Sequence, residues 1–356
     1  MYRTQGRYSK AEPLYQQVLA IKRRQLGQDH PNTLISLNNL AMLYRFQGRY
    51  SEAEPLFQQA LAIANLQLGK DHPDTVTSIN NLAVLHHDQG HYEEAELLLQ
   101  QALEITRKTL GDSHPATATK LNNLAELYRT QGRYGKAEIL YKEALDIYRR
   151  QVNEDHPLFV TSLNNLAILY YSQGRYAKAE SLLRQVLTID RDQLGNTHPS
   201  TAISLNNLAE LYRFQGRYGE AELLLQQALE INHRNFGNDH PATARSLNNL
   251  ASLYYVQERY EKAEPLYQQA LIIHREQLGK DHPSTATSLS NLGDLYRFQG
   301  RYGEAEPLLQ QALEIDRRNF GRTYAANFLN AVYSAEIPPT PLIKGGGDSR
   351  GDLQRH

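Results

Sequence analysis

The tetrapeptide Gln47-Gly48-Arg49-Tyr50, or a close variant of it, occurs eight times in this chain of 356 residues, always at a spacing of 42. The eight copies begin at Gln5, Gln47, Gln89, Gln131, Gln173, Gln215, Gln257 and Gln299. A period this strict predicts a solenoid, in which one supersecondary unit stacks on copies of itself. A solenoid offers a long curved surface, and its usual role is to hold other molecules.

Two helices are predicted within each repeat, for example within residues 31–72. The first, helix A, starts at Pro31, whose missing N–H is harmless in a first helical turn. Its apolar side chains recur at helical spacing: Leu34, Leu37, Leu40, Ala41 and Tyr44. Gly48 interrupts this pattern, and we expect it to end helix A in a left-handed turn. The second, helix B, is predicted over about 51–67, which makes the unit a helix–turn–helix.

This unit resembles the tetratricopeptide repeat. The resemblance rests on residues in the family's order and spacing: Leu40, Ala41, Tyr44, Gly48, Tyr50, Ala53, Phe57 and Ala60. The 42-residue form, with Asn-Asn-Leu-Ala in helix A and Asp-His-Pro between units, is similar to the repeats of kinesin light chains and covers about residues 1–320. Many bacterial proteins carry similar arrays. The resemblance implies an all-α fold, an α-solenoid of antiparallel helix pairs that form a right-handed superhelix.

The repeat boundaries predict four segments. Residues 1–25 form a truncated first repeat, mainly helix B, and residues 26–320 form seven full 42-residue repeats. Residues 321–336 are predicted as a degenerate helix that caps the stack, and residues 337–356, rich in Pro and Gly, as a disordered tail. Because the truncated repeat lacks its helix A, we expect it to expose Leu14, Leu19 and Ile21 and to favour end-to-end self-association.

The composition disfavours several classes of function. Lys and Arg total 38 and Asp and Glu total 39, and a near-neutral chain is not a general nucleic-acid binder. The absence of Cys excludes disulfides and thiolate metal sites. The sequence shows neither an apolar run of bilayer-spanning length nor the apolar core of a signal peptide. We therefore expect a soluble, cytoplasmic protein without nucleic-acid or membrane partners.

The resemblance also implies that one side of helix A lines a concave groove, where the repeats can be compared with one another. The position of Asn38 keeps an asparagine in most copies although Asn is a poor helix former, and an amide can bond a peptide backbone as donor and as acceptor. This predicts a row of peptide-binding amides: Asn38, Asn80, Asn122, Asn164, Asn206 and Asn248. The alternative is that these asparagines bond neighbouring helices and fix their stacking.

A second row on the same side alternates between cationic and aromatic residues. These residues are also predicted to line the groove: Arg45, Arg129, Tyr171, Arg213, Tyr255 and Arg297. Acidic residues precede three of the arginines by three positions, at Glu126, Glu210 and Asp294. The pairs are either intrahelical salt bridges or part of a mixed-charge groove for acidic and aromatic side chains.

No catalytic, metal or cofactor site is predicted. The histidines of the Asp-His-Pro motifs recur at a spacing of 42 and should not converge, so we expect Asp or His to cap helix A. His86, His87 and His91 are residue types that bind Zn²⁺, but His86 occupies a core tyrosine position and adjacent helical residues point about 100° apart. We therefore expect a protein that is not an enzyme.

The sequence favours a non-catalytic protein–protein interaction scaffold, which binds an extended peptide or a partner helix in its concave groove. One alternative is a detached sensor arm of a bacterial signalling NTPase, although the chain contains no Gly-rich phosphate loop. A further alternative is an RNA-binding helical-repeat protein, which the near-neutral charge disfavours.

Overall fold

The computed structural model describes residues 8–333, and the fold is all-α over that range. Fifteen helices follow one another there: α1 Tyr8–Leu26, α2 Pro31–Phe46, α3 Tyr50–Gln67, α4 Pro73–Asp88, α5 Tyr92–Leu110, α6 Pro115–Thr130, α7 Tyr134–Gln151, α8 Pro157–Ser172, α9 Tyr176–Leu194, α10 Pro199–Phe214, α11 Tyr218–Phe236, α12 Pro241–Val256, α13 Tyr260–Leu278, α14 Pro283–Phe298 and α15 Tyr302–Tyr333. Even-numbered helices are A helices and odd-numbered helices are B helices. The predicted all-α class with its helix pairs is confirmed, whereas the handedness of the superhelix stays a prediction.

The chain divides into two compact units. Unit 1 contains α1–α7 and ends at Glu154, and unit 2 begins at Asp155 and contains α8–α15. Within each unit, consecutive helices pack against one another. Fully buried side chains such as Leu37 and Phe57 in unit 1 and Leu211 in unit 2 fill the space between the A and B helices. The apolar positions that repeat in the sequence therefore form the core.

The Gln-Gly-Arg-Tyr motif ends each A helix. Gly48 has a φ of 73°, a left-handed conformation that glycine adopts without steric cost, and the Arg49 N–H donates to the Tyr44 carbonyl at 2.8 Å. This turn satisfies a carbonyl that a helix end leaves unpaired. The left-handed turn predicted at Gly48 is confirmed, and Glu258, which replaces this glycine in a later copy, keeps the same conformation with a φ of 58°.

The arginine of the motif connects consecutive repeats. The Arg217 guanidinium lies 3.7 Å from the centroid of the Tyr212 ring, which is a cation–π contact. Its Nη1 lies 3.0 Å from the carboxylate of Glu180, on the preceding B helix. The same ion pair recurs in other copies: Arg49–Glu12, Arg133–Glu96, Arg259–Glu222 and Arg301–Glu264. The recurrence of this arginine in all copies of the motif except the third, which has His91, therefore has a structural cause.

The histidine of Asp-His-Pro closes each connection between repeats. In the seven connections His Nδ1 accepts a hydrogen bond from the backbone N–H two residues further on, at 3.0–3.2 Å. The ring stands at the N-cap of the A helix and satisfies an N–H group that a helix start leaves unpaired. The predicted capping role is confirmed, and His rather than Asp performs it.

The last helix is longer than the sequence predicts. α15 runs without a break from Tyr302 to Tyr333, so residues 321–333 continue the last B helix instead of forming a separate capping helix over 321–336. Residues 323–325 stand in place of the Asp-His-Pro connection found in earlier repeats. Without its proline and capping histidine, this stretch lacks the signals that end one helix and start the next. The predicted tail, 337–356, lies outside the described residues.

Helix α1 presents an apolar face. Leu14, Val18 and Ile21 are 49%, 46% and 43% exposed, as expected for Leu14 and Ile21. The expectation for Leu19 is wrong, because this side chain is buried in a cleft that Leu40 and Leu56 also line. Across residues 8–333, no helix combines the length and the hydropathy needed to cross a bilayer.

Candidate functional site

The asparagines predicted to bind a peptide lie on one face of the A helices, and three of them accept bonds from the next A helix of the same unit. We call this surface the A-helix face. In unit 2, Asn207 Nδ2 donates to Asn164 Oδ1 at 2.8 Å, and Asn249 Nδ2 donates to Asn206 Oδ1 at 3.1 Å. In unit 1, the same bond joins Asn123 to Asn80 at 2.7 Å. The second asparagine of one repeat therefore holds the first asparagine of the repeat before it, as the stacking alternative predicts.

Two asparagines of the row are arranged differently. Asn38 Nδ2 donates to Ser78 Oγ at 3.3 Å, and Asn248 Nδ2 donates to Ser288 Oγ at 2.8 Å, in each case on the next A helix. The Oδ1 atoms of both residues are buried and have no hydrogen-bond partner. A buried acceptor without a partner is costly, so these two atoms are left uncompensated by the fold.

Ser290 lies one repeat beyond Asn248, at the equivalent position of α14, and its Oγ is likewise buried without a partner. Asn122 forms a hydrogen bond with Tyr148, which is buried. The row therefore contains both residues that bond within the protein and residues with unused hydrogen-bonding atoms.

Each arginine predicted in the groove is paired with a carboxylate. Arg213 donates to both carboxylate oxygens of Glu210 at 2.9 and 2.6 Å, and their side chains are only 7% and 9% exposed. Burial opposes the charge on Arg213, but the hydrogen bonds that Arg213 donates to Glu210, and the negative charge of Glu210, outweigh it and raise the pKa of Arg213. The other pairs are Arg129–Glu126, Arg297–Asp294 and Arg45–Asp88. Glu126, Glu210 and Asp294 therefore form intrahelical salt bridges with the arginines three residues later, which was one of the two interpretations of the sequence.

A polar chain crosses the A-helix face of unit 1. Arg45 Nε lies 2.6 Å from Asp88 Oδ2, the His87 Nδ1 lies 3.5 Å from the same carboxyl group, and His87 Nε2 lies 3.0 Å from Thr130 Oγ1. Burial alone would raise the pKa of Asp88, but Arg45 and His87 outweigh that effect and hold the pKa at about 2. This chain joins three consecutive A helices, α2, α4 and α6.

The two tyrosines predicted in the groove belong to aromatic clusters on the A-helix face of unit 2. Tyr171 meets Phe214 edge to face at 5.1 Å between ring centroids, and Tyr255 meets Phe298 in the same way at 5.5 Å. Phe214 and Phe298 are 39% and 51% exposed. Burial raises the pKa of the Tyr171 hydroxyl, whose oxygen has no hydrogen-bond partner.

His86, His87 and His91 do not point towards a common centre. The ring centroids of His86 and His91 are 5.8 Å apart, and His87 points to Thr130. Over the part of the chain that the structure describes, no three His, Cys, Asp or Glu side chains converge in the manner of a metal site.

Two features of the molecule were not predicted from its sequence. Phe214 and Phe298 follow the groove arginines directly, and the recurrence of Phe at this position was the available signal. The other feature is a row of buried polar residues on the B helices, in which Asp190, Asn232 and His274 bond to serines of the next A helix. These residue types differ from repeat to repeat, so the repeat pattern gave no signal for them.

The model of the tetratricopeptide repeat family matches residues 1–65, 47–108, 98–150, 158–232, 224–271 and 243–318. Among solved structures, a Podosopora anserina kinesin light chain-type protein of nearly identical TPR-like repeats is 33% identical to this chain, with a TM-score of 0.47; the match covers 58% of this chain and 97% of that protein. A Rap protein complexed with competence and sporulation factor is 12% identical, with a TM-score of 0.58; the match covers 86% of this chain and 84% of the Rap protein. The Rap conjugation regulator of plasmid pLS20, in complex with a Phr peptide, is 13% identical, with a TM-score of 0.59; the match covers 86% of this chain and 78% of the regulator. No curated protein matches the chain significantly in sequence.

Proposed function

This chain belongs to the tetratricopeptide repeat family, with kinesin light chain-like repeats, and we propose that it is a non-catalytic scaffold that binds an extended peptide on its A-helix face. Members of this family typically mediate protein–protein or peptide binding. Two proteins of similar fold, both Rap proteins, were solved as complexes, one with competence and sporulation factor and the other with a Phr peptide. The proposal extends that kind of function to this chain.

The observation that carries the proposal is the set of buried hydrogen-bonding atoms without partners on one face of unit 2. Asn248 Oδ1, Ser290 Oγ and the Tyr171 hydroxyl all lie on A helices, and none of these atoms has a hydrogen-bond partner. An extended peptide presents N–H and C=O groups along its whole length. These atoms are covered in the structure, so a peptide backbone reaches them after side chains on this face move, and it then supplies the missing partners whatever its own side chains are.

Two alternatives from the sequence are less well supported. An RNA-binding groove needs free cations for phosphates, whereas each of the four groove arginines has a carboxylate partner. A sensor arm of a signalling NTPase would still use the same face for its ligand. The peptide-binding proposal therefore applies to both the free scaffold and the sensor arm.

We expect the Asn248→Ala variant to bind a peptide more weakly than the wild type. Peptides are first selected from a random display library against the wild-type protein, and their affinities are then measured by isothermal titration calorimetry. Loss of one main-chain bond should weaken binding by about 0.5–1.5 kcal/mol, or roughly 2- to 12-fold. Ser290→Ala should have an effect of the same sign.

The matched control is Asn235→Ala, which removes an asparagine of unit 2 that bonds the Thr197 carbonyl in a connection between repeats. Its affinity for the selected peptides should equal that of the wild type, and circular dichroism should show that all three variants are folded. Failure to select any peptide, or equal affinities for all the variants, would contradict the proposed function.

We further propose that the exposed apolar face of α1 supports self-association. Leu14, Val18 and Ile21 are all more than two-fifths exposed, and contiguous apolar surface favours burial against another protein surface. Sedimentation velocity should show a concentration-dependent dimer in the wild type and a monomer in Leu14→Glu/Ile21→Glu. Leu66→Glu, at a separate site that is 74% exposed, is the control and should associate like the wild type. A wild-type protein that is monomeric at all concentrations would exclude the association.

A further inference from the structure

Two aromatic clusters of the same construction recur on unit 2, two repeats apart. The first aromatic cluster consists of Tyr171, Tyr176, Phe214 and Arg213, and the second of Tyr255, Tyr260, Phe298 and Arg297. In each, the central tyrosine lies 6.0 Å from the tyrosine that starts the following B helix, between ring centroids. The arginine guanidinium lies over the Phe ring at 4.8 Å in the first cluster and 5.1 Å in the second.

Each cluster is open to a ligand on its phenylalanine side. Phe214 and Phe298 are 39% and 51% exposed, although both are anchored by an edge-to-face ring contact from one repeat and a guanidinium from their own. A rigid, half-exposed aromatic ring loses little conformational freedom when another apolar group packs on it. Such a ring is therefore a good anchor point for an aromatic or large aliphatic side chain.

The neutral net charge of each cluster favours an uncharged side chain of the ligand as the anchor. Arg213 is bonded to Glu210 and Arg297 to Asp294, so that each cluster carries no net charge. An acidic ligand side chain would have to compete with a carboxylate that is already in place in the same helix. The clusters therefore favour apolar and aromatic side chains over acidic ones, whereas the sequence left a mixed acidic and aromatic preference open.

The spacing of the clusters fixes the spacing of the anchors. Neighbouring A helices pack at roughly 8–10 Å between axes, so that two repeats correspond to about 16–20 Å. An extended peptide advances about 3.3 Å per residue, and five or six residues span that distance. A helical partner, which rises about 1.5 Å per residue, would need anchors about twelve residues apart.

The hydrogen-bonding atoms of the A-helix face lie beside the line that joins the two aromatic clusters. The asparagine position comes seven residues, or about two helical turns, before the tyrosine position on the same helix face, which is about 10 Å along the axis. Asn248 Oδ1 and the Tyr171 hydroxyl are without partners on these two rows. A single extended chain laid between the rows has polar partners on one side and apolar anchors on the other.

We propose that unit 2 recognises an extended, weakly charged peptide segment that carries two aromatic or large aliphatic side chains five or six residues apart. The inference rests on the proposed function and adds the side-chain chemistry of the ligand to it. Each anchor packs on one aromatic cluster, and the main chain between the anchors bonds to the A-helix face.

The test uses fluorescein-labelled synthetic peptides with two Phe residues in a Ser, Thr and Asn background, whose Phe spacing is three, six, nine or twelve residues. Fluorescence anisotropy should give the highest affinity at the spacing of six. Replacing either Phe of that peptide by Ser should weaken binding about tenfold, the effect of losing one partly buried aromatic anchor. Replacing the background by Asp and Glu should not strengthen it.

Protein variants assign the anchors to the clusters. Phe214→Ala and Phe298→Ala should each lower the affinity for the two-Phe peptide about tenfold. A one-Phe peptide can still pack its single Phe on the intact cluster, so its affinity for each variant should stay within twofold of its affinity for the wild type. Tyr302→Ala is the matched control, because this ring is 68% exposed and belongs to neither cluster, and it should bind like the wild type. All three changes are at partly or mostly exposed positions, and circular dichroism checks that the helices are retained.

The outcomes separate the inference from the proposed function. Library peptides that bind in an Asn248-dependent way, with no dependence on Phe spacing or on Phe214 and Phe298, would overturn the two-anchor inference and leave the proposed function intact. A preference for a spacing of twelve, in peptides that become helical on binding, would replace the extended ligand by a helix. Absence of binding by both the designed and the selected peptides would overturn both.

Discussion

Replacing Glu210 by glutamine should lower the free energy of unfolding of unit 2 by about 3–5 kcal/mol. Glu210 and Arg213 are 9% and 7% exposed, and the guanidinium donates to both oxygens of the carboxylate. Glutamine keeps the shape of the side chain but removes its charge, so the Arg213 charge stays buried without a counter-charge. Chemical denaturation of the wild type and Glu210→Gln, followed by circular dichroism, measures the difference.

Two further variants show whether burial is the cause. Glu220 pairs with Arg217 at the same helical spacing, but these side chains are 53% and 31% exposed, so Glu220→Gln should leave the stability close to that of the wild type. The double variant Glu210→Met/Arg213→Met replaces the buried pair by apolar groups and should recover most of the loss. A loss below 1 kcal/mol in Glu210→Gln would mean that Arg213 does not depend on this carboxylate and is available to a ligand.

The fold could be predicted from sequence because each repeat marks its own boundaries. Gly48 and its equivalents end the A helices, and the prolines after each capping histidine start the next ones. These signals are local, and seven copies of them agree. At residue 321, where a boundary was predicted and α15 continues, the local signals are missing.

The partners of the repeated polar residues could not be predicted, because they lie about one repeat away. Arg217 reaches Glu180, which is 37 residues earlier, and Asn207 reaches Asn164, which is 43 residues earlier. Which of the many polar residues at such distances come together depends on how adjacent repeats are rotated against each other. An asparagine that can both donate and accept is equally compatible with a neighbouring helix and with a peptide.

The aromatic clusters were missed for a related reason. Tyr171 was recognised as a groove residue, but its contact with Phe214 crosses from one repeat to the next. The alternation of Arg and Tyr along the chain was visible, whereas the pairing that turns it into two clusters follows only from the packed helices. The sequence therefore predicts which residues share a face of the A helices more reliably than which of them contact one another.

The second large effect is expected on acidification, at His274. This side chain is 4% exposed on α13, and its Nδ1 lies 2.9 Å from Ser288 Oγ on α14. Burial first, and then the neighbouring His282 and Arg245, lower the pKa of His274 from 6.5 to about 3. The folded protein therefore keeps this imidazole neutral at pH values where the unfolded chain protonates it.

The direction of the pH effect follows from this difference. Between pH 6.5 and 3 the unfolded state binds the extra proton, so the free energy of unfolding falls as the pH falls through this window. A shift of this size corresponds to about 4–5 kcal/mol lost at the acid end. Above pH 6.5 both states are neutral and His274 gives no pH dependence.

His274→Asn isolates this contribution, because the chain itself shows that Asn fits the position: Asn232, the equivalent residue one repeat earlier, donates to Ser246 Oγ at 2.9 Å. The difference in unfolding free energy between the wild type and His274→Asn, measured from pH 7 to pH 3.5, should shift in favour of the variant by about 4 kcal/mol. Asp316→Asn is the control of opposite sign, since burial raises the pKa of Asp316 to about 6 and its carboxylate destabilises the fold most at neutral pH. That variant should gain stability at pH 7 and lose its advantage as the pH falls. The difference in unfolding free energy between the wild type and His274→Asn could instead stay constant over the whole pH range. That result would mean that His274 takes up a proton in the folded state as readily as in the unfolded state, and that the buried polar residues on the B helices are open to solvent.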